Sequence, residues 1–149
     1  MPSFGTSASR LRKHADYQRV YASSRKQFSK QMSFFFCVRA TEDARETISG
    51  PRVGLTVGKV MGKAVDRNRI KRRLREVIRR NAQALRVLPV DVILHPRRAV
   101  IDLDFEALDR EVASVFRTIQ RTAQERILKQ QQQPAVPVAG PASPAAAQE

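Results

Sequence analysis

Between Lys63 and Glu76 the chain reads KAVDRNRIKRRLRE, and seven of these fourteen residues are Lys or Arg. Side chains of this kind have one dominant chemistry, the binding of phosphate. Arg prevails over Lys here, and its planar fork of donors suits bidentate phosphate contact. Gly58-Lys59 and Gly62-Lys63, just upstream, raise the different chemistry of a nucleotide-binding loop. Spacing argues against it: three residues separate the two glycines where that loop has four, and Ala64 stands where Ser or Thr would hold Mg²⁺. His14 and His95 lie in separate stretches with no cysteine or carboxylate cluster beside them, so no metal site is expected. No Ser/His/Asp set and no paired carboxylates stand out. Cys37 is the only cysteine, which excludes an intramolecular disulfide and reads as an inert buried thiol. These residues describe a binder without catalytic machinery of its own.

Charge says what would be bound. The 149 residues carry a net charge of +14, and 42% are hydrophobic, enough for one domain with a real core. Such an excess predicts a polyanionic partner, nucleic acid before an anionic membrane surface. Its distribution is uneven. Residues 52–80 hold eleven Lys or Arg against Asp66 and Glu76, while residues 102–111 hold five of the fourteen acids. No apolar run approaches the ~20 residues of a membrane span. MPSFGTSASRLRKH has no following apolar segment of signal-peptide length, so a cytoplasmic protein is expected.

The basic segment needs an element to present it. Ile70, Leu74, Val77, Ile78 and Leu85 form an apolar stripe at helical spacing, which predicts a helix from an Asp66 N-cap to about Leu85. Asn68, Arg69, Arg72, Arg75, Arg79 and Arg80 then fall on the opposite side, with Glu76 four residues from both Arg72 and Arg80. An earlier helix begins near Leu11 and puts Tyr17, Val20 and Tyr21 on one face. QMSFFFCVR alternates as a strand, Met32, Phe34, Phe36 and Val38 against Ser33, Phe35, Cys37 and Arg39, and KQF before it can add a short one. TEDARETISGP is a polar turn. RVGLTVGK is a strand with Val53, Leu55 and Val57 on one face and a nearly flat Gly54, Thr56, Gly58 face on the other. VDVILH makes a further strand, and Asp104 can cap a last helix whose core stripe is Leu108, Val112, Val115, Phe116 and Ile119. Residues 1–9 read as a flexible N-terminus, 10–129 as one RNA-binding domain, and 130–149, rich in Gln, Pro and Ala, as a disordered tail. RNA is favoured over DNA, because aromatics beside basic residues suit single strands.

At RVGLTVGKVMGKAVDRNRIKRRLRE the chain resembles the bacterial ribonuclease P protein component, whose hallmark is Arg-Asn-Arg followed by further basic residues. Arg67-Asn68-Arg69 and Lys71-Arg72 match that motif, with Arg75 one turn further. The resemblance extends to LRKHADYQRVY, QMSFFFCVR and DVILHPRR, about residues 9–120. The Pro/Ala/Gln-rich tail and the triple Phe at 34–36 depart from the family pattern and do not touch the motif.

This resemblance implies an α/β (α+β) two-layer sandwich of order αβββαβα. A four-stranded mixed sheet would carry a left-handed βαβ crossover through the basic helix, against the general right-handed preference. It implies a protein subunit that assists Mg²⁺-dependent removal of the 5′ leader from precursor tRNA, with active site and Mg²⁺ in the RNA subunit. Its partners would be that catalytic RNA and precursor tRNA, with no membrane and no obligate protein partner. Arg67, Asn68, Arg69, Lys71, Arg72 and Arg75 would contact the RNA subunit. Tyr17, Tyr21 and Phe35 would line a cleft for the leader, with Arg12 and Lys13 near its phosphates. An unrelated ribosomal-RNA-binding or ribosome-associated protein is the alternative. A DNA-binding module is less favoured, lacking a recognisable recognition-helix arrangement.

Overall fold

The alternation in QMSFFFCVR becomes strand β3 (Met32–Val38), with Met32, Phe34 and Phe36 buried on one face and Phe35 and Cys37 on the other. The structure, a computed structural model, describes residues 9–39, 50–86 and 88–132. Before β3 come β1 (Ser9–Arg10), α1 (His14–Ser23) and β2 (Gln27–Phe28); after it come β4 (Arg52–Leu55), α2 (Ala64–Asn81), β5 (Val90–Pro96) and α3 (Phe105–Gln132). The sheet runs β1-β4-β5-β3-β2. β3 is antiparallel to both β2 and β5, while β4 is parallel to β5 and to β1. The expected mixed four-stranded sheet is present, and β1 adds a fifth, two-residue edge strand. Ser9, expected to be loose, is part of that edge; residues 1–8, residues 41–49 of the polar turn and residues 133–149 lie outside the described residues.

Handedness follows from L-residue chirality. The Val53 side chain faces the α2 side, and its carbonyl accepts from Leu11 N–H on the β1 side at 3.1 Å. With β4 pointing up and its α2-side residue toward the viewer, the N–H and C=O of that residue point right. So β1 lies to the right of β4 and β5 to the left. The β4–α2–β5 crossover is left-handed.

The Ile70, Leu74, Val77 and Ile78 stripe is buried under the sheet and joins Leu108, Val112, Val115, Phe116 and Ile119 of α3 in one core. Each such side chain contributes about 1.5–3 kcal/mol when withdrawn from water, so a helix this rich in Arg is held by packing. α2 begins earlier than expected, with Lys63 at the N-cap position, and Asp66 lies in its first turn. There its charge still meets the positive end of the helix dipole. Gly62 makes this start possible: its φ of 125° is strained for any L side chain, and a Cβ there would meet the Asp66 carboxylate at 3.0 Å. α2 ends at Asn81, and a 3₁₀ turn, Ala82–Leu85, carries Leu85 into the core. Asp104 stands at the start of α3, its carbonyl accepting from Leu108 N–H at 2.9 Å. α3 runs to Gln132, past the boundary at Lys129 that composition suggests.

The other face carries α1. Val20 packs on Cys37, Ile93 and Leu11 in a smaller cluster. Cys37 is buried as expected, and burial, followed by the Asp91 charge, raises its pKa. Beside it the fully buried Asp91 of β5 accepts from Arg39 at 2.7 Å, from Arg52 at 2.8 Å and from Arg19 of α1 at 2.9 Å. Arg19 also binds Asp16 at 2.9 Å.

Burial pushes the Asp91 carboxyl up, but the Arg52, Arg39 and Arg19 hydrogen bonds outweigh it and leave the pKa below the ordinary value. A depressed carboxyl stabilises the fold fully above its unfolded value of about 4 and loses that contribution as pH falls through the lower folded value. Asp91→Asn should therefore cost about 3–5 kcal/mol near neutrality, and the gap between wild type and variant should narrow in acid. Urea unfolding at several pH values measures this. A gap that stayed constant into strong acid would show that the ionised carboxylate is not its source.

Candidate nucleic-acid interface

The exposed side of α2 carries Asn68, Arg69, Arg72 and Arg75, with Lys71 half-buried. None of these five side chains makes a hydrogen bond or ion pair with the described residues. Their neighbours are engaged. Arg67 Nε donates to Gly62 O at 3.3 Å. Arg73 donates to the carbonyls of Val100 (3.1 Å), Ile101 (2.8 Å) and Leu103, holding the 3₁₀ turn Arg98–Asp102 against α2. Arg80 lies over the Phe105 ring, 5.2 Å from its centroid. Glu76 binds neither Arg72 nor Arg80 directly; it pairs with Arg79 at 2.5 Å, one turn on, which lowers its pKa.

Around the edge of the sheet from this face lies a cleft of about 330 Å³. Its apolar wall is Leu11, Val53, Gly54, Leu55 and Ile78. Cations from two elements rim it, Arg10 on one side and Lys71, Arg75 and Arg79 on the other. Tyr17 is the aromatic residue of the cleft. Its ring rests on Gly54, where a Cβ would come within 2.3 Å of the phenol oxygen. Burial raises the phenol's pKa, with Tyr21 adding to the rise and a hydrogen bond with the Leu55 backbone opposing it. The flat strand face is thus partly filled. Gly54 lies beneath Tyr17, whereas Thr56 is half-exposed and Gly58 is open, with nothing within 4 Å of where a Cβ would stand.

One turn along α1, Tyr21 belongs to a separate aromatic group. It meets Phe35 edge-on with centroids 4.8 Å apart, and its hydroxyl lies 2.9 Å from His95 Nε2 and 3.5 Å from Thr56 Oγ1. Phe35 and His95 complete the trio at 5.4 Å. Burial, then the charge of Lys26, lowers the His95 pKa.

The sequence-derived residues therefore fall into four places, the first being the outer side of α2 with Asn68, Arg69 and Arg72, and Arg67 at its start. Tyr17 joins Lys71 and Arg75 in one cleft; Tyr21 and Phe35 sit together beside it; Arg12 and Lys13 are exposed before and at the start of α1 and do not line the cleft. Arg10 and His95 are additions that the sequence reading did not place at the site, and Arg79, which helical spacing puts on the basic side of α2, also lines the cleft. Arg10 follows a polar run that reads as loose, and His95 sits at the end of an apolar strand with its partner 74 residues away.

A family model described as Ribonuclease P matches residues 6–120. The chain belongs to the ribonuclease P protein family. It is 32% identical over 108 residues to the ribonuclease P protein component of Bacillus velezensis, covering 72% of this chain and 86% of that one. It is 40% identical over 97 residues to the component from Dictyoglomus thermophilum, covering 64% and 75%. Among solved structures, a Staphylococcus aureus RNase P protein mutant superposes with a TM-score of 0.62 at 29% identity, over 74% of this chain and 87% of that one. The Thermotoga maritima RNase P protein shares the fold, with a TM-score of 0.61 at 22% identity over 74% and 96%. Proteins of the ribonuclease P family are subunits of a tRNA-processing endoribonuclease, and the RNA-binding function read from charge belongs to that family. Among the described residues no helix is long and apolar enough to cross a membrane.

Arg72 and Arg73 are adjacent and chemically identical, yet their surroundings assign them different work. Arg73→Ala should lower the melting temperature, since three carbonyls lose their donor and each unmet buried acceptor costs about 1–3 kcal/mol. Arg72→Ala should leave melting unchanged and weaken RNA binding. Calorimetry with an RNA titration separates the two, and equal melting losses would contradict the division.

Proposed function

We propose that the exposed face of α2 holds the catalytic RNA subunit, through Asn68, Arg69, Lys71, Arg72 and Arg75, with Arg67 at its start. The cleft and aromatic group beside it receive the single-stranded 5′ leader of precursor tRNA. One observation carries this reading: Tyr17, on the aromatic flank of α1, shares a cleft with Lys71 and Arg75 of α2. A strand of RNA lying along Tyr17 would thus arrive beside the helix that binds the RNA subunit. Arg12 and Lys13, exposed at the mouth of α1, suit long-range attraction of phosphates more than fixed contacts.

Cleavage is assigned to the RNA subunit, with the Mg²⁺ that hydrolysis requires. The cleft's charged groups are guanidinium and ammonium, a set that repels a hard cation whose preferred ligands are carboxylates and other oxygens. The protein's own contribution is positioning: cations neutralise backbone charge and ring faces hold unstacked bases without reading sequence.

Two outcomes test this reading. Protein freed of RNA should not cleave precursor tRNA; cleavage by such a preparation would overturn the assignment. In the reconstituted holoenzyme, Tyr17→Ala should weaken binding of a precursor with a leader of several nucleotides by about 1–3 kcal/mol, the worth of one stacked base. A precursor with a single-nucleotide leader should respond little. Equal losses on both would mean that Tyr17 serves only to dock α1 on the sheet.

A further inference from the structure

Strand register lines up one row of side chains across the sheet face that α1 partly covers. Thr56 continues the Leu55↔Leu94 register, its N–H donating to Leu94 O at 3.0 Å, and so stands beside His95. His95 pairs with Ser33, and Ser33 pairs with Phe28. Directly paired residues share a face, and Tyr21 reaches Thr56 and His95 from the α1 side. The row Thr56, His95, Ser33, Phe28 therefore runs on that side from just past the end of β4 across β5 and β3 to β2, three strand spacings or roughly 14 Å.

The row has the profile of a track. Ser33, a small residue only 8% exposed, forms the floor between the His95 and Phe28 rings. At the far end Phe28 is 65% exposed, well above Tyr21 at 37%. An exposed ring on a two-residue edge strand adds nothing to the core and leaves apolar surface in water. Lys26 Nζ lies 5.6 Å from the Phe28 centroid, and its charge is also felt at His95. A ring face and an ammonium thus stand together where the row leaves the sheet.

We infer that the leader cleft continues past Tyr21 and Phe35, over His95 and Ser33, to Phe28 and Lys26 at the β2 edge, where it binds single-stranded RNA farther from the cleavage point. The inference rests on the leader assignment above, and the position of α2 sets its polarity. Nucleotides nearest the cleavage point occupy the Tyr17 end, beside Lys71 and Arg75; more distant ones cross the sheet. Phe28 stacks one base and Lys26 meets a phosphate. Neither reads a base edge, so the extension adds affinity with leader length rather than leader sequence.

The test uses reconstituted holoenzyme and precursor tRNAs whose leaders lengthen in steps, with binding measured under non-cleaving conditions. Wild-type affinity should rise in two stages. Tyr17→Ala should remove the first stage. Phe28→Ala with Lys26→Ala should remove the second, lowering the ratio of long-leader to short-leader affinity roughly five- to 150-fold. Because both side chains are exposed, the melting temperature of the double variant serves as the control for folding. A second stage that survives the double variant, or never occurs in wild type, overturns the inference while a Tyr17 effect leaves the cleft standing. A loss of equal size at every leader length also overturns it, placing the edge against the RNA subunit or the tRNA body. Should neither Tyr17 nor Phe28 respond to leader length, the leader assignment itself fails.

Discussion

The buried carboxylate of Asp91 is the constraint on which the interface depends. It sits in the middle of the sheet, fully withdrawn from water, and three guanidiniums converge on it from α1, from Arg39 just after β3, and from β4. Withdrawing one carboxylate from water costs several kcal/mol, and replacing it by a well-packed apolar side chain would often serve stability as well. Geometry is what the ions add. Arg19 can reach Asp91 only when α1 lies in one register on the sheet, and that register puts Tyr17 over Gly54 and Tyr21 against Phe35 and His95. The electrostatic knot lies behind the surface proposed to hold RNA, and it sets where the aromatic rings stand.

The sheet divides the molecule by chemistry. On one side α2 and α3 seal a dry core. On the other α1 covers only part of the surface, with a small cluster beneath it and aromatic and polar groups along its flank. The left-handed crossover carries α2 from the end of β4 back under the sheet while leaving its basic face at the edge where the cleft opens. The two surfaces proposed to meet different parts of an RNA assembly are then neighbours that join at Lys71 and Arg75 of α2.

Much of this is legible in the sequence because it depends on local period. The β3 alternation, the Val53, Leu55 and Val57 face, and the Ile70 to Ile78 stripe each pack into the core as their spacing requires. What escapes depends on contacts distant in the chain. Asp91 lies inside an apolar run, and its partners stand 72, 52 and 39 residues away. Arg73 resembles its neighbours in every local respect; its place one residue before buried Leu74 is the one hint that it reaches inward rather than out. Asp66 reads as a cap because caps favour acids, but the glycine turn at Gly62 starts the helix three residues sooner, with Lys63 at the N-cap. The handedness of the crossover has no periodic signature at all.

Gly54 sets how deep the cleft can be. Its inner-face neighbours Val53 and Leu55 pack toward the core, while its own missing side chain lets the Tyr17 ring sink until the phenol oxygen occupies the space of a methyl group. A single carbon atom added there would lift Tyr17 off the sheet, and α1 could not follow without releasing Asp91. The width of the passage proposed for RNA is thereby written in the backbone of a core strand, as the bore of an instrument is set by its wall rather than by what passes through it.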